Sequence, residues 1–394
     1  MKIMSINTGS SSLKFSLFNM DNEEVIASGL FERIGIEHSR YTIKYNGEKI
    51  EQEVEMNDHT DAVNILLDRL ISMNIISSLD EIDGIGHRLV HGKDKYSESV
   101  VITDEVVNDL LEFKDFAPLH NPANVLGINA FKKVLPNTIM VGVFDTAFHQ
   151  SMSEENYLYA VPYSWYKDYG VRKYGFHGTS HRYISEYLKD KLKKDNLRII
   201  NCHIGNGGSI TAIKDGKCVN TSMGFTPLSG IMMGTRSGDV DPSIIPYVME
   251  KEGMNANEVL ESLNKNSGLL GVSEKSSDMR DILEGINNND EKCLLAFNKY
   301  TRMVTNYIAM YYVELGGADI ISFTAGVGEN SSPVREKICE NLACLGVKID
   351  IEKNNIRGEF TKISSKDSKI DVYVVPTDEE LLIARDTLRL MNNR

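Results

Sequence analysis

Hydrophobic and polar positions follow two different periods along the chain. Stretches with a period of two, typical of half-buried strands, are separated by stretches with the three-to-four-residue period of amphipathic helices. Near the start, Leu13, Phe15 and Leu17 alternate with polar residues and predict a strand. Further strands are predicted at 84–90, 138–144, 199–200, 210–213, 320–323 and 372–375, and helices at 60–73, 298–315 and 381–390. This alternation of strands and helices predicts an α/β protein.

The order of elements at the N-terminus occurs again in the middle of the chain. A first strand ends in a small polar loop, NTGSSS at 7–12, and a later apolar run ends before HIGNGGS at 203–209. In both places a second strand and a turn follow. A repeat about half a chain apart predicts two similar domains that face one another. We expect residues 1–150 with 378–394 to form one domain and residues 151–377 to form the other.

Two glycine-containing segments in the central region are candidates for binding an anion. Gly205, Gly207 and Gly208 would let backbone N–H groups approach an anion, because no Cβ blocks the way. Arg236 lies between glycines in GTRSGD at 234–239. An ordinary hairpin with glycine turns and a surface arginine is the alternative interpretation. The loop at 203–209 and the N-terminal loop at 7–12, on facing domains, would suit a polyphosphate held from both sides.

Charged and polar residues at strand ends add candidates. Arg88 has apolar neighbours on a predicted strand, where it is either an ion-paired arginine or part of a site. Asp145 follows the strand 138–144, at the end where α/β proteins place ligands. His177, between an aromatic residue and a glycine, is unusual, although lone histidines are most often structural. A capping box over 377–380 predicts a helix start, and there Glu379 could serve only the helix dipole.

Composition and charge limit the classes of partner. The 394 residues suit two domains, and the net charge of −13 argues against nucleic acid or an anionic membrane as the main partner. Five cysteines without a CxxC pair predict no disulfide framework. The first residues enter a strand rather than a signal peptide, and no apolar run approaches the ~18–20 residues of a membrane span, so we expect a cytoplasmic protein. Neither a GxxxxGK[ST] loop nor a protein-kinase HRD/DFG pair is present.

Ten sequence blocks, taken together and in this order, are specific to one family. They are SINTGSSSLKF at 5–15, GHRLVHG at 86–92, PLHNPAN at 118–124, FDTAFH at 144–149, YGFHGTSH at 174–181, HIGNGGS at 203–209, GTRSGDVDP at 234–242, SSDMRD at 276–281, GVGENS at 326–331 and TDEELLIARD at 377–386. By these blocks the chain resembles the acetate/propionate kinase family, within the actin–Hsp70–sugar kinase superfamily, over nearly its whole length. Thr8 and Lys93 depart from the family pattern, which has cysteine and glycine there.

The resemblance implies a fold, a reaction and partners. The fold would be α/β, with two duplicated ribonuclease H-like (actin-like ATPase) domains and an interdomain nucleotide cleft. The first domain would supply the acetate and metal side and the second would bind the nucleotide. The reaction would be reversible, direct in-line phosphoryl transfer from ATP to acetate, giving ADP and acetyl phosphate. Mg²⁺, with Mn²⁺ as an alternative, would be the cofactor, and the protein would be a homodimer.

The same resemblance assigns roles to residues. The catalytic residues would be Arg88, Asp145, His177 and Arg236. Acetate would be bound by Arg88, Val90, Leu119, His120, Phe176 and Pro227. The nucleotide and its phosphates would be bound by Ser10, Ser12, Lys14, His203, Ile204, Gly205, Asn206, Gly207, Asp278, Met279, Arg280, Gly326, Val327, Gly328, Glu329 and Asn330. The metal would be held by Asn7 and Glu379.

These roles agree with the chemistry of a carboxylate acceptor. A carboxylate with a pKa near ~4 is ionised at neutral pH, so no base is needed to form the nucleophile. The difficulty is the approach of two anions, which two arginines and a metal address. Asp145 would then orient Mg²⁺ or its waters. A sugar kinase would instead use an aspartate as a base and needs no such arginine pair, and a chaperone-like ATPase would need a peptide-binding module, for which the two domains leave no length.

Overall fold

The structure is a computed structural model that describes residues 1–393, and its strands are these. They are β1 (Lys2–Gly9), β2 (Ser12–Asn19), β3 (Glu24–Glu32), β4 (Arg40–Tyr45), β5 (Glu48–Glu53), β6 (Gly84–Leu89), β7 (Val100–Val101), β8 (Ile139–Phe144), β9 (Arg198–Ile204), β10 (Gly208–Lys214), β11 (Lys217–Thr221), β12 (Ile320–Thr324), β13 (Thr361–Lys362) and β14 (Asp371–Val374).

Helices connect the strands. The α-helices are α1 (His59–Ser72), α2 (Asp104–Glu112), α3 (Asn121–Val134), α4 (Glu154–Tyr157), α5 (Tyr163–Tyr169), α6 (Gly178–Leu192), α7 (Ile244–Glu252), α8 (Ala256–Lys265), α9 (Gly268–Ser273), α10 (Met279–Asn287), α11 (Glu291–Glu314), α12 (Ala325–Asn330), α13 (Ser332–Asn341), α14 (Ile351–Asn354) and α15 (Glu379–Asn392). Short 3₁₀ helices lie at Leu79–Glu81, Phe113–Phe116, Ala147–Ser151 and Ala343–Leu345.

The chain forms two compact units, Met1–Phe148 with 378–393, and His149–Thr377. The sheet of the first unit has the order β5-β4-β3-β2-β1-β6-β8-β7, and that of the second has β11-β10-β9-β12-β14-β13. In both, three antiparallel strands are followed by two parallel ones, β3-β2-β1-β6-β8 and β11-β10-β9-β12-β14. The predicted α/β class with a repeated order of strands is confirmed.

In the first unit, the C-terminal helix α15 lies against β1, β6 and β8. The contact is close because β6 carries glycine where the helix crosses it. A methyl group on Gly86 would lie 2.4 Å from both Ile383 Cγ2 and Thr387 Oγ1. The helix begins after Asp378, whose carboxylate accepts from the backbone N–H of Leu381 at 2.9 Å. The sequence placed this cap at Thr377, which was wrong by one residue. The packing brings Glu379 to the strand ends that carry Arg88.

In the second unit, β9 has one apolar and one polar face. Ile200, Cys202 and Ile204 lie in the core cluster with α11, whereas Asn201 and His203 alternate with them and are also buried. The predicted strand ended at residue 200, since the polar residues after it suggested a loop. The strand in fact continues to Ile204, because the side chains of Asn201 and His203 find hydrogen-bond partners inside the protein.

Two further predictions about local structure are corrected. The glycines of GVGEN at 326–330 predict a loop that opens a helix, but the segment itself belongs to the short helix α12, which starts directly after β12. The long helix expected at 298–315 begins seven residues earlier, at Glu291, after the N-cap Asp290. All five cysteines are free thiols in the described chain. Among residues 1–393 no helix is both long and apolar enough to cross a bilayer.

Candidate active site

In the first unit, charged side chains gather where β1, β6 and β8 end. Arg88 donates to Asp145 through Nε at 3.2 Å and through Nη2 at 2.5 Å. Its Nη1 lies 3.4 Å from Asn7 Oδ1, and its Nε lies 4.0 Å from Glu379 Oε2. One guanidinium therefore lies next to the predicted catalytic residue Asp145 and the two predicted metal ligands, Asn7 and Glu379. The bidentate geometry fixes the plane of the arginine.

The carboxylates in this cluster outnumber the arginine. The side chain of Asp145 is 2% exposed and that of Glu379 is 23% exposed. Burial, with further repulsion from Asp145 and Glu380, raises the pKa of Glu379 to about 7 although Arg88 opposes the shift. Asp145 raises the pKa of Arg88, so the guanidinium is charged. Lys14, opposite Asn7 on β2, forms an ion pair with Glu380. The first unit thus holds an excess of negative charge at these strand ends.

Two asparagines that the sequence did not single out hold these strand ends in place. Asn124 of α3 donates from Nδ2 to the carbonyl oxygens of Thr8 and Arg88, and its Oδ1 accepts from the N–H of Val90. Asn121 bonds in the same way to the backbone of His91. Both are fully or nearly fully buried. Their position in PLHNPAN, the block containing His120, was a usable signal, because buried amides commonly satisfy loop backbone.

The acetate-binding residues predicted in the first unit differ in exposure. Val90, just after β6, is 7% exposed, so its side chain is part of the packed interior. Leu119 is 74% exposed and His120 is exposed as well. The structure therefore places one of these three side chains in a packed environment and two at the surface of their unit.

In the second unit, Arg236 is half-buried and forms no ion pair with a carboxylate among residues 1–393. Its Nη1 donates to the carbonyl oxygen of Pro227 at 3.1 Å and lies 3.6 Å from Met233 Sδ. Desolvation lowers the pKa of Arg236. A half-buried guanidinium without a counter-charge is costly unless an anion completes the site. The arginine of GTRSGD is therefore not an ordinary surface residue.

His177 precedes α6 in a left-handed backbone conformation, with φ of 57°. Its Nδ1 lies 2.9 Å from Ser209 Oγ, and its ring stacks on that of His203 at 4.1 Å between centroids. A methyl group on Gly207 would lie 3.5 Å from Arg236 Nη1 and 3.7 Å from His177 Nε2. The glycine therefore leaves room in front of both side chains. Strained backbone of this kind is retained where the surroundings require it.

The other two predicted acetate-binding residues also lie in the second unit. Phe176 is buried, and its carbonyl oxygen contacts His149 Nε2 at 2.9 Å. Pro227 is half-buried and accepts from Arg236 as described. Both side chains thus lie next to residues of the His177 and Arg236 region.

A cavity of about 830 Å³ lies in the second unit beside Gly205 and Asn206. Eight residues of the predicted nucleotide set line it: Gly205, Asn206, Asp278, Met279, Arg280, Gly326, Val327 and Asn330. Sequence reasoning missed seven other lining residues: Leu269, Ser277, Leu283, Ser331, Ser332, Pro333 and Arg357. The volume and mixed lining are typical of a small-molecule site.

The remaining members of the predicted nucleotide set do not line this cavity. Gly328 packs under Ile204, and Glu329 accepts from the backbone N–H groups of Ala325 and Thr377. The ring of His203 stacks on that of His177, and a methyl group on Gly207 would lie 3.7 Å from His177 Nε2. Ser10, Ser12 and Lys14 lie in the first unit, at the turn between β1 and β2 and on β2.

The metal site predicted from Asn7 and Glu379 has oxygen ligands only. No group of three or more His, Cys, Asp or Glu side chains that could hold a metal occurs in the described chain. Mg²⁺ binds through one or two carboxylates with waters and substrate phosphates, and it needs no such group. Burial raises the pKa of Glu379 although Arg88 opposes the shift, so a further positive charge at this carboxylate would stabilise its ionised form. The donor set and its charge therefore fit a divalent cation.

In the second unit, a half-buried arginine without a carboxylate partner among residues 1–393 and a cavity large enough for a nucleotide are features expected of an α/β enzyme that transfers phosphoryl groups. The Acetokinase family model matches residues 2–385, and the chain belongs to this family.

Similar proteins match this chain over nearly its whole length. An acetate kinase from Bacillus subtilis (strain 168) is 53% identical over 391 residues, covering 99% of each chain. The crystal structure of Porphyromonas gingivalis acetate kinase is similar with a TM-score of 0.96 and 47% identity, again over 99% of both chains. A propionate kinase from Francisella tularensis subsp. tularensis SCHU S4 has a TM-score of 0.93 and 39% identity over 99% of both chains.

Proposed function

We propose that this protein catalyses reversible phosphoryl transfer from ATP to acetate, giving ADP and acetyl phosphate by direct in-line transfer. Membership of the Acetokinase family supports the reaction class. The observation that carries the proposal is Arg236, whose half-buried charge has no carboxylate partner among residues 1–393. A transferring phosphoryl group is the anion that would complete this site, because its charge is spread over three oxygens that must be matched in place.

The roles proposed for the residues follow from their surroundings. Arg88, held by Asp145, would bind the acetate carboxylate or the phosphoryl oxygen next to it. Arg236 and His177 would contact the phosphoryl oxygens from the loop at Gly207. The cavity lined by Asp278, Arg280 and the start of α12 would hold the nucleoside.

Mg²⁺ would be held by Asn7 and Glu379. The ion would neutralise charge on the phosphate oxygens. Asp145 already accepts two hydrogen bonds from Arg88, so its part is to orient that arginine and, through its remaining lone pairs, water near the metal. The homodimer and the cytoplasmic location implied by the family resemblance stay predictions, and light scattering on the purified protein tests the first.

The reaction is tested by trapping the product with hydroxylamine. The protein is incubated with ATP, Mg²⁺ and a panel of short carboxylic acids, and acyl hydroxamate is measured. We expect hydroxamate from acetate in amounts matching the ADP formed. ADP and inorganic phosphate without hydroxamate from any acid would overturn the proposal.

Glu379→Gln is expected to raise the Mg²⁺ concentration needed for half-maximal activity, because an amide oxygen binds the ion more weakly than a carboxylate. The helix should remain, because its cap is Asp378. Glu380→Gln removes one charge from the same helical turn and is the matched control. An unchanged Mg²⁺ requirement in Glu379→Gln would show that Glu379 does not hold the metal and serves only to stabilise the helix dipole.

The same variant has an expected effect on stability without metal. A Glu379 pKa of about 7 exceeds the usual 4.5, so between these values the native state binds a proton that the unfolded chain does not. Stability from this residue is therefore present at low pH and is lost as pH rises through about 7. Glu379→Gln should raise Tm relative to the wild type near pH ~8 and not near pH ~5. A constant Tm difference would contradict the shifted pKa.

Propionate is the second candidate acceptor, because a propionate kinase is among the similar structures. Val90 follows Arg88 by two residues, and its buried side chain would close the methyl end of the acetate site. One additional methylene typically changes specificity by ~10- to 200-fold. We expect the wild type to prefer acetate in kcat/KM and Val90→Ala to discriminate less. A wild-type preference for propionate would replace the acetate assignment.

A further inference from the structure

A chain of hydrogen bonds runs from the sheet of the second unit to His177. Asn201 on β9 and Ser322 on β12 are paired across neighbouring strands, and Ser322 Oγ lies 2.7 Å from Asn201 Oδ1. Asn201 Nδ2 lies 2.8 Å from His181 Nδ1. His181 Nε2 lies 2.7 Å from Ser209 Oγ, which lies 2.9 Å from His177 Nδ1. The four residues before His177 are fully buried.

The direction of each hydrogen bond follows from the donors and acceptors available. Within residues 1–393, the Ser322 hydroxyl has Asn201 Oδ1 as its hydrogen-bond partner. It must therefore donate to that oxygen, since the opposite amide orientation would leave a buried hydroxyl hydrogen without an acceptor. Asn201 then presents its NH₂ group to His181. A ring nitrogen that accepts carries no proton, so His181 has its proton on Nε2.

The remaining two bonds follow in the same way. His181 Nε2–H donates to Ser209 Oγ. In the described chain the two histidine rings are the hydrogen-bond partners of Ser209 Oγ, so its hydroxyl hydrogen must point to His177 Nδ1. His177 thus accepts at Nδ1, and the proton of its neutral ring is on Nε2. This is the nitrogen that lies in front of Gly207 together with Arg236 Nη1.

We propose that Ser322, Asn201, His181 and Ser209 are positioning residues that fix His177 as the neutral tautomer protonated on Nε2, so that it donates a hydrogen bond to the transferring phosphoryl group. The role of the donor rests on the proposed function, whereas the tautomer does not. These hydrogen bonds also exclude His177 as a phosphate acceptor in the reaction, because Nδ1 accepts from Ser209 and Nε2 carries a proton.

The surroundings of the chain favour neutral rings. Burial, together with repulsion by His149 and His203, lowers the pKa of His181 well below its usual value. The ring of His203 stacks on that of His177, so two charged imidazoles there would repel each other. A histidine kept neutral and protonated on one defined nitrogen is a donor whose proton need not be acquired from solution.

Asn201→Asp reverses the chain with almost no change in shape. A carboxylate only accepts, so it would take the proton of His181 on Nδ1. His181 Nε2 would then accept from Ser209, and Ser209 would accept from Nδ1–H of His177. His177 Nε2 would lose its proton and with it the donor. Ser209→Ala breaks the chain instead and leaves His177 Nδ1 without its partner on β10.

The test is long-range ¹H–¹⁵N NMR of ¹⁵N-histidine-labelled protein without substrates, with His177 assigned by its loss in His177→Gln. We expect the Nε2–H tautomer in the wild type, the Nδ1–H tautomer in Asn201→Asp, and a mixture in Ser209→Ala. A wild-type Nδ1–H tautomer, or no change in either variant, would overturn the proposal. Because no substrate is present, this result stands whether or not acyl phosphate is formed.

Kinetics provide the second measurement. Losing one donor to a transition state costs about 100-fold or more in kcat, so Asn201→Asp should show such a loss with KM values for ATP and acetate little changed. Thr211→Val is the matched control, since it removes a buried hydroxyl on the same strand that bonds to Thr221 and not to a histidine. Equal kcat losses in Thr211→Val and Ser209→Ala would reduce Ser209 to a structural role and contradict the proposal.

Discussion

Arg236→Ala is expected to lower kcat by about 10³-fold while leaving the KM for ATP largely unchanged, as for other arginines that meet a phosphoryl group in the transition state. The physical reason is its charge. Arg236 is half-buried, has no carboxylate partner among residues 1–393 and is held at Gly207 by the Pro227 carbonyl oxygen. Its hydrogen bond to the Pro227 carbonyl oxygen positions the guanidinium before a phosphoryl group binds, so the stabilisation is preorganised.

Arg302→Ala serves as the control for Arg236→Ala, because Arg302 is exposed on α11. It should retain wild-type kcat. A loss confined to the KM for ATP in Arg236→Ala, with kcat preserved, would move Arg236 from the reacting group to the nucleotide.

Arg88→Ala is expected to lower kcat by a similar factor of about 10³, and Asp145→Ala should add little to it. Arg88 donates to Asp145 through Nε and Nη2, so the two side chains act together. Residues that act as a unit are strongly non-additive in a double-mutant cycle. Measuring kcat for both single variants and the double variant gives the coupling.

The cycle also reports on stability. The carboxylate of Asp145 is 2% exposed, so Arg88→Ala leaves a buried charge without its partner. Removing one member of a buried pair typically costs about 3–5 kcal/mol. The double variant should therefore unfold at a higher temperature than Arg88→Ala alone. Simple multiplication of the two kcat losses in the double variant would show that Asp145 acts independently of Arg88, for example only on the metal.

Much of the fold follows from short-range patterns in the sequence. The strands near 84–90 and 138–144 and the helix near 60–73 are present as β6, β8 and α1, with bounds that differ by a residue at most. Each has a strong apolar period, and packing preserves it. The repeat of strand, loop and strand at residues 7 and 203 corresponds to the equivalent pairs β1-β2 and β9-β10.

The error in the extent of β9 occurs where polar residues are buried. Asn201 and His203 suggested that a strand had ended, although they continue β9 on a face lined by other polar side chains. A sequence pattern shows that a residue is polar, but it does not show whether the fold places a hydrogen-bond partner next to its side chain. The chain of hydrogen bonds from Ser322 through Asn201 and His181 to Ser209 joins three strands and helix α6, and Ser322 is 121 residues from Asn201 in the sequence.

The sequence predicted only part of the site for the same reason. Arg88 was left open between an ion-paired and a functional arginine, and the structure shows it bonded to Asp145. Asn121 and Asn124 had no visible role until their backbone partners were known. Residue types at strand ends predict where charge gathers, whereas the choice of partners depends on long-range packing.

In the proposed reaction the phosphoryl group passes directly from ATP to the carboxylate, with no residue of the protein phosphorylated on the way. The measurement is the stereochemistry at phosphorus, using ATP made chiral in its γ-phosphoryl group with oxygen isotopes and analysing the acetyl phosphate formed. A single in-line displacement predicts inversion of configuration. Retention would require two displacements and a phosphorylated residue, and it would contradict direct transfer.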